Sequence, residues 1–229
     1  MKKYELIPEG KLFRIIALKD FGFIKKGELG GLIEKESNLS QKNECWVYKN
    51  AKVIENARVC GDAEVRGDAQ VLGDAEVSGN ALVYENAKVL GDAKVFGNAL
   101  VYENAKVYGN ATVYSTAYVS GNALVYGDAL VFGNALVCGD AKVYGNATVY
   151  NTAYVLGNTQ ATKEVITFGN IFDYDITITD NHIKIGCQQY LKSRWLEFTN
   201  KEILEMGGKR ALKFWRLFKP FAINMGFFN

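Results

Sequence analysis

The chain has 229 residues, 48% of them hydrophobic, with 27 basic and 25 acidic side chains, which excludes a disordered chain and allows one domain or two small ones. The longest apolar run near the N-terminus, Ile15–Leu18, is too short for a signal peptide or a membrane span. We expect a cytoplasmic protein with no membrane partner. Its four cysteines are too sparse for a disulfide scaffold and too far apart for a zinc site, which predicts reduced thiols at Cys45, Cys60, Cys138 and Cys187.

The first 44 residues differ in composition from the rest of the chain. The segment LFRIIALKDFG (12–22) predicts a short strand. The segment KKGELGGLIEKESNLS (25–40) predicts a glycine-rich turn and a polar lead into the following region. Because an open end of stacked strands exposes unpaired backbone groups and invites polymerisation, we assign residues 1–44 as an N-terminal cap.

A six-residue repeat occupies residues 45–160. Valine stands at every sixth position from Val47 to Val155, which makes 19 consecutive hexads, and alanine keeps the same step from Ala51 to Ala153. Glycine fills the third place of 13 hexads, and Asn or Asp fills the fourth place of 17. These residues tolerate left-handed backbone angles, so each pair predicts a corner between short strands centred on valine. The pattern indicates a β-solenoid with valine inside and alanine near each vertex.

A second period of 18 residues predicts the number of sides. Residues 81–98 read ALVYENAKVLGDAKVFGN, and residues 99–116 read ALVYENAKVYGNATVYST. Three hexads per turn predict three sides, and the 19 hexads predict about six coils at the ~4.8 Å spacing of strands in a sheet.

The hexads, with an aliphatic residue followed four places later by a small one, resemble the left-handed parallel β-helix of hexapeptide-repeat proteins. The run from IALKDFG (16–22) through GELGGLIEKESNLS (27–40) to CWVYKNAKV (45–53) resembles hypothetical proteins of phage and prophage genomes that join such a cap to hexapeptide repeats. The expected fold is mainly β. It is a left-handed, three-sided parallel β-helix at residues 45–160, followed by a C-terminal β-hairpin and α-helices at residues 161–229.

The 18-residue period sorts the outward side chains into three faces. On one face only Glu64 and Arg66, near its start, are charged, and the rest of this face carries a long apolar stripe. We name this stripe the apolar wall; it consists of Leu82, Tyr84, Leu100, Tyr102, Tyr118, Leu136, Cys138, Tyr154 and Leu156. An apolar stripe of this length is rarely exposed to solvent in a soluble monomer. We therefore expect that it is covered by an identical subunit, in a dimer or trimer, or by the chain's own terminal segments. The other faces carry aromatic rows that we expect to stack coil on coil, at Tyr108, Tyr126 and Tyr144 and at Phe96, Tyr114, Phe132 and Tyr150.

Enzymes on hexapeptide-repeat solenoids use histidines that this repeat lacks. Acyltransferases of that family use a histidine on a loop between coils as general base, whereas residues 45–158 contain neither a histidine nor an interrupted hexad. The carbonic anhydrase on this fold needs three histidine ligands for zinc, and the chain has one histidine, His182. The Asp and Asn corners lack the clustered carboxylates of a calcium site. We expect no catalytic residue, no cofactor and no metal.

A β-hairpin is predicted after the repeat, at DITITDNHIKIG (175–186). Asp180 and Asn181 form its turn, and four isoleucines surround the turn. His182 lies beside this turn, where a surface or capping role is the usual one.

Helices are predicted at CQQYLKSRWLEF (187–198) and KEILEMGGKRALKFWRLF (201–218). Thr199 and Glu202 form a capping box, Gly207-Gly208 breaks the second helix, and Pro220 ends it. This C-terminal module is expected to pack against the rest of the chain or to recognise a partner.

The C-terminal end of the chain is basic, with nine basic and three acidic residues in 181–229. Opposite Leu212, Trp215, Phe218 and Phe221, one face of the last helix carries Lys209, Lys213, Arg216 and Lys219. Such a helix touches RNA, DNA or an acidic protein patch, or else its aromatic side docks on the apolar wall while its lysines stay in water. We favour the second interpretation.

Together these patterns predict a non-enzymatic binding protein of the bacterial cytoplasm that forms a homo-oligomer through the apolar wall. The resemblance to phage proteins implies an accessory role, such as an anti-CRISPR-like inhibitor of a host defence system, with a host protein or ribonucleoprotein as its partner. A structural or virion-associated solenoid module is the first alternative. A degenerate hexapeptide-repeat acyltransferase is the second.

Overall fold

The computed structural model describes residues 2–171 and 174–228. The chain forms two compact units, Met1–Glu164 and Val165–Asn229. The first unit is a parallel β-solenoid with an N-terminal cap, and the second joins an antiparallel sheet to two helices. The fold is therefore mainly β, as the repeat predicts.

The cap begins with a hairpin of β1 (Tyr4–Glu9) and β2 (Leu12–Ala17), and β3 (Leu29–Ile33) pairs antiparallel with β2. A short 3-10 helix follows at Glu36–Asn38. The sequence predicts one strand here, and the structure adds β1 and β3. In β3, a side chain at Gly30 would collide with Ile15, and one at Gly31 would collide with the carbonyl oxygens of Tyr48 and Ala51. Gly30 and Gly31, which the sequence assigns to a turn, therefore let the cap approach the first turn of the solenoid closely.

Twenty short strands follow the cap. In chain order they are β4 (Trp46–Val47), β5 (Lys52–Val53), β6 (Arg58–Val59), β7 (Glu64–Val65), β8 (Gln70–Val71), β9 (Glu76–Val77), β10 (Leu82–Val83), β11 (Lys88–Val89), β12 (Lys94–Val95), β13 (Leu100–Val101), β14 (Lys106–Val107), β15 (Thr112–Val113), β16 (Tyr118–Val119), β17 (Leu124–Val125), β18 (Leu130–Val131), β19 (Leu136–Cys138), β20 (Lys142–Val143), β21 (Thr148–Val149), β22 (Tyr154–Leu156) and β23 (Gln160–Ala161).

These strands stack in parallel into three sheets, with partners 18 residues apart. Leu82, for example, pairs with Leu100, and Val83 pairs with Val101. Sheet I consists of the cap strands β1, β2 and β3 followed by β5, β8, β11, β14, β17, β20 and β23. Sheet II consists of β4, β7, β10, β13, β16, β19 and β22. Sheet III consists of β6, β9, β12, β15, β18 and β21. Because the pairing is in register, residues 18 positions apart form columns.

The interior of the solenoid contains the repeat valines and alanines. Every repeat valine from Val47 to Val155 and every repeat alanine from Ala51 to Ala153 is at most 1% exposed. The corners adopt left-handed backbone angles: all 13 repeat glycines have positive φ, as do Glu55, Glu85, Glu103, Ser115 and Asn151. The hexad pattern therefore predicts both the core and the corners.

The solenoid has about seven turns, against the six that the hexads predict. The 19 hexad strands make six turns and one further strand, and the cap region completes the turn that contains β4. Leu32 and Ile33 of β3 pair in parallel with Lys52 and Val53, and Leu39 bridges to the next strand of sheet III. The cap segment lacks the hexad pattern, so the periodicity does not detect this turn.

The C-terminal unit contains a four-stranded antiparallel sheet and two helices. The sheet order is β24 (Ile166–Ile171), β25 (Tyr174–Ile178), β26 (His182–Ile185) and β27 (Gln188–Leu191), and the helices are α1 (Lys192–Glu197) and α2 (Asn200–Asn224). The predicted hairpin is confirmed as β25 and β26. The buried core of the unit includes Ile176, Ile178, Ile183, Ile185, Trp195, Ile203, Phe214, Trp215 and Phe218.

The helix signals are confirmed at the start of α2 and wrong at its end. The Thr199 Oγ1 accepts a hydrogen bond from the Glu202 N–H at 3.3 Å, and the Glu202 carboxylate accepts one from the Thr199 N–H at 2.8 Å. Gly207 and Gly208 leave helical geometry as predicted. Pro220, however, lies inside α2. Pro220 cannot donate a hydrogen bond to the carbonyl of residue 216, but the helix continues because Phe218 and Ala222, on either side of the proline, are buried in the core of the unit.

A second correction concerns residues 187–198, for which the sequence predicts a helix throughout. Gln188–Leu191 is the edge strand β27, and only Lys192–Glu197 is helical. Gln188, Gln189 and Tyr190 pair with Ile185, Lys184 and Ile183. Tertiary pairing with the hairpin therefore decides the conformation of this segment, which local helix propensity does not reveal.

Candidate protein-binding surface

Sheet II arranges the outward residues of the apolar wall in two columns. In each strand one side chain precedes the buried valine and one follows it, and both point away from the core because side chains alternate along a strand. The first column is Leu82, Leu100, Tyr118, Leu136 and Tyr154, and the second is Tyr84, Tyr102, Ser120, Cys138 and Leu156. The structure thus places all of the predicted wall residues on one sheet, over five successive turns.

The surface of the wall is uneven at its middle turn. Tyr118 is 40% exposed, more than any other residue of the two columns, whereas Ser120 is only 6% exposed. Tyr84 and Tyr102 stack with ring centroids 4.9 Å apart, and their column then continues with the small side chain of Ser120. At this turn the wall therefore presents the large Tyr118 to solvent, whereas neighbouring side chains cover the small Ser120. The apolar pattern identifies Tyr118 but not Ser120, because a polar residue does not belong to an apolar stripe.

The first two turns of sheet II are closed by other groups. Trp46 is buried and makes edge-to-face contacts with Tyr4 at 6.3 Å and Phe21 at 5.3 Å. In the next turn Arg66 forms an ion pair with Glu64 and lies 4.8 Å from the ring centroid of Tyr48. The open part of the face therefore begins at Leu82.

The corners on the two sides of the wall differ in charge. The corners before the wall strands, at residues 79–80, 97–98, 115–116, 133–134 and 151–152, contain no charged residue, and we call them the uncharged flank. The corners after the wall strands contain Glu85, Glu103 and Asp140, and we call them the acidic flank. Along the acidic flank, side-chain hydrogen bonds join Asn86, Asn104, Asn122 and Asp140 at 3.2, 3.3 and 2.9 Å. The flanks form a polar rim around an apolar centre.

Two side chains of the wall, Cys138 and Tyr84, have raised pKa values. Burial raises the pKa of the Cys138 thiol, and the Glu103 carboxylate raises it further. Burial also raises the pKa of the Tyr84 hydroxyl, and Tyr102 adds to this shift. Because a thiol with a raised pKa is a poor nucleophile, the wall is suited to non-covalent contact.

The other two faces carry the predicted aromatic ladders. On sheet I, Tyr126 stacks with Tyr108 at 4.8 Å and with Tyr144 at 5.0 Å. On sheet III, stacks of 5.0, 4.9 and 5.7 Å join Phe96, Tyr114, Phe132 and Tyr150. The rings cover one another's faces and present their edges outward, so the ladders stabilise the stacking of coils.

The basic residues of α2 do not form one solvated row. Lys209, Lys213 and Arg216 are exposed. Lys219 donates a hydrogen bond to the Leu196 carbonyl at 2.7 Å and lies 5.5 Å from the Trp215 ring centroid. On the opposite side of the helix, aromatic residues including Trp215 are buried in the core of the C-terminal unit itself. Much of the aromatic side of α2 is therefore already covered within its own unit.

His182 has a local structural environment. Its Nδ1 lies 2.9 Å from the Asn181 side-chain oxygen, and its backbone N–H donates to the Thr179 hydroxyl. Burial lowers the pKa of its imidazole. In residues 2–171 and 174–228, no three His, Cys, Asp or Glu side chains are grouped so that they could hold a metal ion. A cavity of about 80 Å³ lies between Tyr174, Trp195 and Met206, and larger open cavities of about 440 Å³ and 430 Å³ lie beside Arg58 and beside Lys219.

A buried lysine in the cap is a feature that the sequence pattern does not identify. The Lys3 Nζ donates hydrogen bonds to the carbonyls of Cys45 at 2.8 Å, Asn43 at 3.3 Å and Lys42 at 3.4 Å, and it lies 3.2 Å from the Cys45 Sγ. Burial lowers the Lys3 pKa and raises the Cys45 pKa. These contacts tie the N-terminal strand to the first turn of sheet II.

No protein-family model matches the chain, and no curated protein sequence matches it.

All four cysteines are free thiols. Within the described part of the chain, no helix combines the length and apolar character needed to cross a membrane.

Proposed function

We propose that this chain is a non-enzymatic protein that acts by binding other macromolecules, with the apolar wall as its main contact surface. The observation that supports this proposal is the absence of outward charge over five turns of sheet II, between two polar flanks. An apolar, aromatic-rich centre within a polar rim is the usual composition of protein interfaces.

The rigidity of the solenoid favours a binding role. Parallel pairing, stacked rings and corner hydrogen bonds hold the outward side chains in fixed columns. A surface that is already ordered loses little conformational entropy on binding, so more of its contact energy contributes to affinity.

The biological setting follows from the resemblance of the cap and repeats to phage and prophage proteins. That resemblance supports a left-handed, three-sided winding of hexapeptide repeats. It also supports an accessory role in the bacterial cytoplasm, where the protein binds and blocks a component of a host defence system in the manner of anti-CRISPR proteins. The partner would be a host protein or a ribonucleoprotein.

The experiment is a plating assay on bacteria that carry an active CRISPR system and express the chain from a plasmid. A phage that the system restricts should plate at least an order of magnitude better when the wild-type chain is present. Leu100→Lys places a charge in the wall and should abolish this gain. The matched control Leu124→Lys makes the same exchange on sheet I, whose outward row already contains lysines, and should retain the gain.

Two outcomes would contradict the proposal. If the wild-type chain leaves plating unchanged in strains covering each class of nucleic-acid-guided defence, the accessory role is wrong. If the chain binds acetyl-CoA in a calorimetric titration, an acyltransferase function takes the place of binding.

A further inference from the structure

We infer that the apolar wall is occupied by the same wall of a second copy of this chain, in a dimer whose two-fold axis runs along the solenoid. The inference rests on the proposed function and deepens it: the wall joins two copies of this chain, and the dimer is the form that binds the host partner. It also fixes which residues of the two copies face each other.

The wall can pack against itself symmetrically in two ways. In a parallel dimer, each strand faces the same strand of the second copy and the two columns exchange, so that Leu82 faces Tyr84 and Leu100 faces Tyr102. In an antiparallel dimer, each column faces itself, and the order of turns reverses about the turn of Tyr118 and Ser120. The two arrangements bury the same residues and differ in which side chains meet.

The shape of the middle turn favours the parallel arrangement. The large, exposed Tyr118 of each copy then lies opposite the small Ser120 of the other, once on each side of the axis. In the antiparallel arrangement Tyr118 meets Tyr118, and Ser120 meets Ser120, which gives a clash beside a void. Interfaces pack as densely as protein interiors, so the complementary pairing is the stable one.

The charge of the flanks favours the same arrangement. In the parallel dimer the acidic flank of one copy meets the uncharged flank of the other. Glu85 then lies at the turn of Asn80, and Glu103 lies at the turn of Asn98. The side-chain amides of both asparagines are hydrogen-bond donors. In the antiparallel dimer the two acidic flanks meet, and Glu103 faces Asp140. Opposed like charges at an interface are unfavourable.

The area of the open face reaches that of a specific dimer only together with its flanks. Five open turns about 4.8 Å apart and a side of six residues give the apolar wall a face on the order of 360 Å². Two such faces bury roughly 700 Å² together, below the ~1,000 Å² of a small specific interface. Packing of the corner side chains on both flanks adds to this area.

The first test is the mass of the protein in solution, measured by sedimentation equilibrium. The wild-type chain and Leu124→Lys should both have the mass of two chains, and Leu100→Lys should have the mass of one. Tyr118→Lys provides a second wall variant, and circular dichroism establishes that both wall variants remain folded. A wild-type mass of one or of three chains, or a two-chain mass for both folded wall variants, would overturn the inference.

The second test measures the arrangement by electron paramagnetic resonance between spin labels. The background is Cys60→Ser, Cys138→Ala and Cys187→Ser, with buried Cys45 left in place. One label is attached at Asn86→Cys or at Asn122→Cys, two turns apart on the acidic flank. A parallel dimer gives the same distance between labels at both positions. In an antiparallel dimer the two labels at position 86 lie about 19 Å apart along the axis, whereas the two labels at position 122 lie at the same height. Such a difference between the two positions would overturn the parallel arrangement.

Neither test depends on a host partner. A dimer that leaves phage restriction unchanged would therefore refute the proposed accessory role alone. A monomer that still relieves restriction would refute the dimer alone.

Discussion

Tyr118 and Ser120 flank the buried Val119 in a single turn of the solenoid, yet Tyr118 is the most exposed residue of the two wall columns and Ser120 is almost completely buried. The separation of two such positions along an extended backbone is about 7 Å, which matches the distance between the two columns. The pair places a large, exposed side chain beside a small, covered one at the centre of the wall. A second copy related by a two-fold axis between the columns places each opposite the other.

Exchanging these two side chains should preserve the dimer. Ser120→Tyr alone should shift the protein to the monomer, because Tyr118 of each copy then meets a tyrosine and not a serine. The double variant Tyr118→Ser with Ser120→Tyr again places a tyrosine opposite a serine and should restore the dimer. Sedimentation equilibrium measures both masses, and a double variant that remains as monomeric as Ser120→Tyr would contradict the exchanged-column arrangement.

The corner glycines should differ in their tolerance of alanine. Gly121 has a φ of 70°, and an added Cβ would lie 2.7 Å from the Gly139 nitrogen, so Gly121→Ala should cost about 3 kcal/mol from backbone strain and overpacking. Gly145 has a φ of 65° but its nearest atom would be 3.6 Å away, so Gly145→Ala should cost about 1 kcal/mol from the backbone alone. Urea unfolding measures the difference, and equal losses would contradict the stacking of corners.

Lys219 should stabilise the C-terminal unit, whereas Lys209 should not. Lys219→Ala removes the hydrogen bond to Leu196 and the contact with the Trp215 ring, which should cost about 1 kcal/mol. Lys209→Ala changes an exposed side chain and should alter the free energy of unfolding by less than about 0.5 kcal/mol. Tryptophan fluorescence reports on this unit through Trp195 and Trp215. Equal effects of the two substitutions would show that the Lys219 contacts contribute nothing.

The stability of the C-terminal unit should depend on pH through His182. Burial lowers the pKa of this imidazole below its ordinary value of 6.5, so the unfolded chain takes up the proton first on acidification. Stability is therefore complete above pH 6.5 and falls as the pH drops below it. His182→Gln should reduce the change in melting temperature between pH 7.5 and pH 5.5. If the variant and the wild type lose the same stability, the imidazole is not desolvated.

The hexad pattern predicts the solenoid because each repeat position has one physical task. Valine fills the core and glycine forms the corner, and both tasks recur every six residues. The hexad pattern does not reveal the additional turn, because Ile33 of β3 and Leu39 pair with the stack and fill its core without the hexad spacing. The strand Gln188–Leu191 is also not predicted, because it forms only by pairing with the neighbouring hairpin.

The sequence predicts which residues form the apolar wall, but it does not predict how exposed each of them is. The 18-residue period identifies the wall residues, since columns follow from in-register pairing. The burial of Ser120 depends on how its neighbours cover a small side chain, which only the structure shows. The buried contact of Lys3 with Cys45 likewise joins segments about 40 residues apart, and local sequence carries no signal for it.

Oxidative footprinting of the unmodified chain tests the role of the wall most directly. Hydroxyl radicals modify exposed tyrosines, and mass spectrometry reads Tyr84, Tyr102 and Tyr118 of sheet II separately from Tyr108 and Tyr126 of sheet I. As the protein concentration rises through the dimer transition, the sheet II tyrosines should become protected, Tyr118 most strongly, while the sheet I tyrosines stay unchanged. Equal modification of Tyr118 at all concentrations, or protection of the sheet I tyrosines instead, would contradict the assignment of the wall as the contact surface.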